Sequence, residues 1–372
     1  MTAALLKRKP VEKEARIPQP TDQLKAAVIG TGAISKEHLT FLQKSERATL
    51  VGVCDLSPAA GCYAAETFEA AAAYTDYRQM LSETRPDVVH ILTPPHTHQR
   101  LATDCLEAGG HVVCEKPVAL SYPEFEQLWA VAQRCDRTLI EDHNYRFNEP
   151  VLAIQQLLAA GAIGTVQEVE VRMALDIRSG GRYADENLPS PMHQLPAGVV
   201  HDFITHLSYL LLTFLPCDRF DRVSAAWSNH GGGDLFKFDD LDATVICDRV
   251  HGRLRFSSYT QPDCFSITVR GDRGTAEVDL FQPFLRYNGP HSLGKQLSPL
   301  VNHWQNGWGL VNASLRNFRN KVMQHTPYEG LHTLLDRTYQ ALAAGEQPPV
   351  TYADMARTSQ LIDALLNQEN WL

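Results

Sequence analysis

Short apolar runs alternate with amphipathic stretches from residue 25 to about 148, a rhythm that predicts a doubly wound parallel sheet. The runs 25–29, 49–54, 87–92, 112–114 and 138–141 read as strands, with helices over 33–44, 58–67 and 97–108. Ser57-Pro58 has the form of a helix cap followed by proline at the first helical position. Gly109-Gly110 stops the helix over 97–108, and Ser121 caps the one after the fourth run.

Beyond Pro150 the pattern changes. A helix over 150–160 ends at glycines, and alternating segments follow at 165–174, 222–229, 241–248, 252–259, 265–270 and 275–280. Strands without intervening helices predict a large, mainly antiparallel sheet with one solvated face. Residues 281–311, with two tryptophans among glycines and prolines, read as an irregular excursion. Thr326-Pro327-Tyr328-Glu329 and Thr351-Tyr352-Ala353-Asp354 have the spacing of capping boxes for two closing helices. The expected architecture is α/β: an arm over 1–24, a Rossmann domain over 25–148, and an α+β substrate and oligomerisation domain over 149–372. The last helices are free to pack back on the first domain.

Composition narrows the function. The chain has 372 residues, 44% of them hydrophobic, enough for two sizeable cores. A net charge of −9 without long basic runs argues against a nucleic-acid partner. No apolar stretch has membrane-spanning length, and the N-terminus lacks the apolar core of a signal peptide. Eight scattered cysteines, most in apolar runs, suit reduced and buried thiols in a cytoplasmic protein.

Gly30-Thr31-Gly32-Ala33-Ile34-Ser35 lies between a predicted strand and helix, the context a dinucleotide turn requires. Gly30 permits the tight turn, Gly32 the close approach of a pyrophosphate, and the helix N-terminus supplies amide donors. Asp55, at the end of the second strand, can accept bonds from a ribose diol and repel a 2′-phosphate. NAD is therefore the expected cofactor, with NADP as the alternative. Thr93-Pro94 ends the next strand at the same sheet edge, and His96 and His98 suit a cap or polar wall better than a metal. No metal site is expected.

Cys114-Glu115-Lys116-Pro117 ends a further strand at that edge, so Lys116 can place a cation beside the nicotinamide. If residues 199–212 are helical, Asp202 and His206 share one face, and His201 lies on another. Such a pair on an apolar helix is by itself more often structural; the lysine and the glycine turn make it a candidate for proton transfer.

These residues, with Gly109–Pro117 and Asn144-Tyr145-Arg146-Phe147, resemble the Gfo/Idh/MocA oxidoreductases over residues 24–370. The resemblance implies an NAD(P)-dependent enzyme that oxidises or reduces a carbinol or ketone carbon of a sugar, nucleotide sugar or cyclitol. It implies cofactor contacts from Gly30, Thr31, Gly32, Ala33, Ile34, Asp55, Thr93, Pro94, His98, Glu115 and Lys116. It also implies His206 as acid/base with Asp202 close by, Lys116 at the substrate hydroxyl, and a homodimer or homotetramer. Arg146 is assigned either to the pocket or to a packing salt bridge. One departure is Ile204, where the family carries glycine between the acid and the histidine. A non-catalytic sensor, or a lyase using transient oxidation, remains the alternative on the sequence alone.

Overall fold

The computed structural model describes residues 23–367 apart from 182, 186–189, 232, 292–293, 295 and 323–327. Most of the predicted arm, and Thr326-Pro327 of the first predicted capping box, lie outside the described residues. The parallel sheet is built from β1 (Leu24–Ile29), β2 (Ala48–Cys54), β3 (Ala73–Tyr74), β4 (Val88–Ile91), β5 (His111–Cys114) and β6 (Leu139–Glu141). Its order is β3-β2-β1-β4-β5-β6, so the winding direction reverses between β1 and β4. All four residues of β4 are buried, as expected for a strand with helices on both faces. Those helices are α1 (Ser35–Lys44), α2 (Pro58–Thr67), α3 (Tyr77–Thr84), α4 (His98–Glu107) and α5 (Tyr122–Arg134). Ser57 and Ser121 cap α2 and α5 as their sequences predict. β3 and α3 are additions to the elements that the hydrophobic pattern predicts; Asp76 caps α3 by accepting from the Arg78 amide.

After α6 (Glu149–Ala159) come β7 (Val166–Ala174) and α7 (Val199–Phe214). The strands β8 (Arg222–Ser228), β9 (Asp240–Cys247), β10 (Val250–Ser257), β11 (Cys264–Gly271), β12 (Thr275–Asp279) and β13 (Phe284–Asn288) complete a seven-stranded sheet with β7. Only its β10–β7 pairing is parallel. Val169, Val171, Leu254, Phe256, Ile267 and Val269 point into a core closed by α7. The other face carries cross-strand ion pairs, among them Arg253–Asp242 and Arg270–Glu168.

The chain ends in α8 (Ser298–Val322), α9 (Glu329–Ala344) and α10 (Tyr352–Leu366). The described residues of 281–311 are thus no irregular excursion: 284–288 form β13 and 298–311 the first half of a 25-residue helix. Gly307 and Gly309 disguise that helix as a loop, because glycine lowers helix propensity without forbidding the helix. The capping box at Thr351 and Asp354 is formed. Leu331, Leu334 and Tyr339 of α9 sit in the core of the parallel sheet. Helix α10 spans both cores, with Met355 in the first and Leu361 and Leu365 in the second. A second departure concerns the thiols: Cys217 and Cys247 form a disulfide, because the chain leaving α7 returns beside the end of β9. No helix among the described residues is long and apolar enough to cross a membrane.

Candidate active site

Four strands deliver their following residues to one edge of the parallel sheet. Gly30 follows β1, Asp55 follows β2, Thr93 lies just beyond β4, and Lys116 just beyond β5. Gly30 has φ +95°, and a Cβ there would stand 2.9 Å from the Leu92 carbonyl oxygen and the Thr93 methyl. No other residue fits that turn without strain. A Cβ added at Gly32 would meet nothing within 4 Å, so the turn has open space above it at the start of α1. Asp55 Oδ2 accepts from the Thr31 amide and hydroxyl (2.8 and 2.6 Å), and Oδ1 from the Ser57 amide (2.8 Å). Burial would raise this carboxyl, but those bonds outweigh it and hold the group below its ordinary value, ionised. A glycine turn with free space, a helix N-terminus and a fixed anion at the next strand end fit a dinucleotide.

The loop bearing Lys116 is held on both sides. Glu141 Oε1 accepts from the Val118 amide at 2.8 Å, and Glu141 Oε2 pairs with His143 Nε2 at 2.8 Å. His98, fully buried, faces the Pro117 carbonyl with Nδ1 (2.8 Å) and the Thr93 carbonyl with Nε2 (2.7 Å). From there it braces the loops that follow β4 and β5.

Glu115, partly exposed just beyond the end of β5, forms a group with the buried His38 and Asp142. Their ligand-type atoms lie within 4.8 Å of one another, the one such grouping among the described residues. His38 Nε2 stands 3.5 Å from Glu115 Oε1 and 3.6 Å from Asp142 Oδ2, too far for a formed hydrogen bond. His38 Nδ1 contacts His90 Nδ1 at 2.8 Å, and His90 Nε2 reaches the Tyr339 hydroxyl at 2.9 Å. Protons can balance this cluster. Burial opposes a charge on His38, but the two carboxylates prevail and raise it to about 9. Burial and the negative Glu115 push Asp142 up to about 7. Both folded-state values are raised, so the stability they contribute is lost as the protons leave. Thermal stability should therefore fall as pH rises from 6.5 through about 9, and His38→Gln should flatten that fall. A wild-type melting temperature constant across this window would overturn the charged-imidazole assignment.

Lys116 meets Asp202 across the two halves of the molecule. Its Nζ donates to Asp202 Oδ1 at 2.5 Å and to the Asp202 carbonyl at 2.8 Å, and both side chains are about nine-tenths buried. Tyr183 OH donates to the other carboxylate oxygen at 2.8 Å. Burial alone would raise Asp202, but the Lys116 charge and these bonds lower it to about 2.

His206 lies one turn along α7 from Asp202, on the same face. Its Nδ1 pairs with the Tyr209 hydroxyl at 2.8 Å. That hydroxyl's proton goes to Asn144 Oδ1 (3.0 Å), which also accepts from the Tyr145 amide. His206 Nδ1 must then carry the hydrogen, leaving Nε2 as a free acceptor. Burial and the nearby Lys116 charge push the imidazole well below its ordinary value, so it is neutral. Tyr145 packs edge-on against it, with centroids 4.8 Å apart.

Tyr209 and Tyr183 are further members of the site that no motif marks, and Asn144 gains its place through Tyr209. Tyr209, three residues beyond His206, was within reach of helical spacing. Tyr183 comes from a loop with no pattern to place it. Arg146 forms an ion pair with Asp354 at 2.9 Å, tying the turn before α6 to the start of α10. Of its two expected roles, the structure shows the packing one. Ile204 lies opposite Asp202 and His206 on α7 and fills the second core, so a side chain there adds core volume and leaves the Asp202–His206 face unobstructed. His201 is also buried, with both ring nitrogens unpartnered, and burial lowers it to about 4.

Comparison with known proteins agrees with this geometry. Residues 24–143 match the GFO_IDH_MocA family, described as "Oxidoreductase family, NAD-binding Rossmann fold". A D-apiose dehydrogenase of Paraburkholderia graminis is 31% identical over 167 residues, 44% of this chain and 44% of that protein. The matched stretch thus spans less than half of that relative. Among solved structures, an oxidoreductase from Agrobacterium radiobacter in complex with NAD+, L-tartaric acid and magnesium superposes with TM-score 0.74 at 18% identity. It covers 93% of this chain and 97% of that one. A levoglucosan dehydrogenase bound to NADH and levoglucosan also gives TM-score 0.74 at 18% identity, covering 92% and 96%. At that identity the likeness is one of fold. Over residues 24–143, the parallel-sheet half of this chain matches the NAD-binding Rossmann fold of the Gfo/Idh/MocA oxidoreductase family.

Proposed function

We propose that this protein is an NAD-dependent oxidoreductase that interconverts a carbinol and a ketone on a sugar, nucleotide sugar or cyclitol. The observation that carries this reading is the Lys116–Asp202 pair beside a neutral His206, set at the cofactor edge of the parallel sheet. Bound nicotinamide would supply the hydride acceptor. Lys116 Nζ, fixed by Asp202, sits where it can donate to the substrate oxygen and stabilise developing negative charge. His206 Nε2 takes the hydroxyl proton, and the Tyr209–Asn144 bonds keep the required tautomer in place. Tyr183 and Lys116 together hold Asp202 ionised, so it stabilises the protonated form of His206 once the proton has moved. Asp55 receives the adenosine ribose, and its charge disfavours a 2′-phosphate. The named activities of the relatives support the substrate class, since apiose and levoglucosan are both polyhydroxylated. A homo-oligomer is part of the same reading.

Titration of cofactor-stripped protein with NADH and NADPH, followed by nicotinamide fluorescence, tests the cofactor assignment. NADH should bind the more tightly, and Asp55→Ala should narrow the difference. NADPH preference in the wild type would overturn the role of Asp55; binding of neither would overturn the enzyme reading. A screen of sugars and cyclitols for NADH release then tests the reaction, because a sensor releases none.

A further inference from the structure

Helix α8 has two faces with opposite fates. One is anchored to the free edge of the antiparallel sheet. Asn306 accepts from the Tyr287 amide and donates to its carbonyl, both at 3.1 Å, and Asn302 donates to the Gly289 carbonyl at 3.0 Å. These asparagines cover an edge strand that would otherwise present unpaired backbone groups. The opposite face is apolar and bare. Leu300, Trp304, Trp308, Val311, Leu315 and Phe318 recur at intervals of three and four residues and are between 51% and 73% exposed. They fall within about a quarter of the helix circumference.

A stripe of this kind needs a cover. Monomers rarely expose contiguous apolar patches beyond a few hundred Å². Three aromatic rings and their aliphatic neighbours here would bury roughly 700 Å² on this protomer, close to the ~800 Å² each partner of a stable complex contributes.

The spacing identifies the cover, because it is symmetric about the point between Gly307 and Trp308. Leu300 and Leu315 lie equally far from that point, as do Trp304 and Val311, and Leu297 and Phe318. Laid antiparallel on a second copy of itself, the stripe therefore sets leucine on leucine and tryptophan on valine, with Trp308 at the two-fold axis. Gly307 leaves room there: an added Cβ would meet nothing within 4 Å. Charge agrees. The helix has no acidic residue, and Arg316 and Arg319 both lie in its last third. Antiparallel pairing sets them against a first third without lysine or arginine, and opposes the helix dipoles favourably. Arg316 is ion-paired with Glu149 at 3.0 Å in its own protomer, so the charge that parallel pairing would set against its own copy is that of Arg319.

We infer that the exposed stripe of α8 is an isologous contact with a second copy of this chain, two antiparallel α8 helices crossing at Gly307 and Trp308. The contact is separate from the ion-paired open face of the sheet and does not depend on the proposed reaction.

Mass measurement on the full-length chain by light scattering tests it. The double variant Trp304→Glu/Trp308→Glu should have half the assembly mass of the wild type at low micromolar concentration. Both substituted side chains are solvent-exposed in the protomer, so its melting temperature should change little. Register is tested separately by oxidative cross-linking. Gly307→Cys should form a covalent dimer and Leu315→Cys alone should not, whereas Leu300→Cys/Leu315→Cys should. Equal masses for wild type and double variant would overturn the inference, as would cross-linking indifferent to position. Binding of the wild type to phosphatidylserine vesicles, with mass unaffected by the double variant, would assign the stripe to a membrane surface instead.

Discussion

Lys116→Ala should reduce turnover at least about 100-fold, the loss expected when a group that stabilises transition-state charge is removed. The same substitution should also destabilise the fold by roughly 3–5 kcal/mol, because it strands the buried Asp202 carboxylate without its counter-charge. The two effects are separable. In Lys116→Ala/Asp202→Asn the stranded charge is gone, so most of the stability should return while turnover stays low. Turnover is read as NADH release with the best substrate from the sugar and cyclitol screen, and stability by urea unfolding. Wild-type turnover in a folded Lys116→Ala protein would remove Lys116 from the mechanism. A double variant as inactive and as unstable as the single one would show that the pair acts by more than charge.

His206→Ala should lower turnover by about 10²- to 10⁴-fold, the range for loss of a positioned general base. Its pH dependence gives a second readout. Burial and the Lys116 charge hold the imidazole below its ordinary value, so the neutral form is already dominant at neutral pH. In the oxidising direction kcat/KM should therefore rise with pH along an acid limb below 6.5 and then stay level. The variant should lose that limb along with the rate. Tyr209→Phe removes the acceptor of His206 Nδ1–H but keeps the ring that stacks on His143, with centroids 4.4 Å apart. It should cost only about tenfold, the worth of one buried hydrogen bond, and fall on kcat more than KM. A Tyr209→Phe loss as large as that of His206→Ala would make the hydroxyl itself the proton carrier.

Much of the cofactor half was legible because its determinants are local. A dinucleotide turn is a strand, a few residues and a helix, and Gly30 through Ser35 carry its conformational demands in their own identities. The caps at Ser57, Ser121 and Thr351 are equally local, each settled within four residues. Period-two alternation exposed six strands of the second sheet for the same reason. Local signals failed where a distant element had the deciding vote. Helix α8 survives two glycines because β13 offers its open edge to Asn302 and Asn306, a pairing that no window of sequence contains.

The candidate site divides along the same line. Sequence alone determined which residue types stand at the strand ends, and that Asp202 and His206 share a helical face, because both follow from the backbone periods. Only the tertiary structure decided their partners. Lys116 and Asp202 are 86 residues apart and meet across two cores. Glu115 stands beside His38, and His98 faces two backbone carbonyls. Arg146 goes to Asp354, and His206 owes its tautomer to Asn144. The physical reason is that a buried polar group takes whichever partner the packed fold brings within about 3 Å, and that distance exists only after the chain has closed on itself.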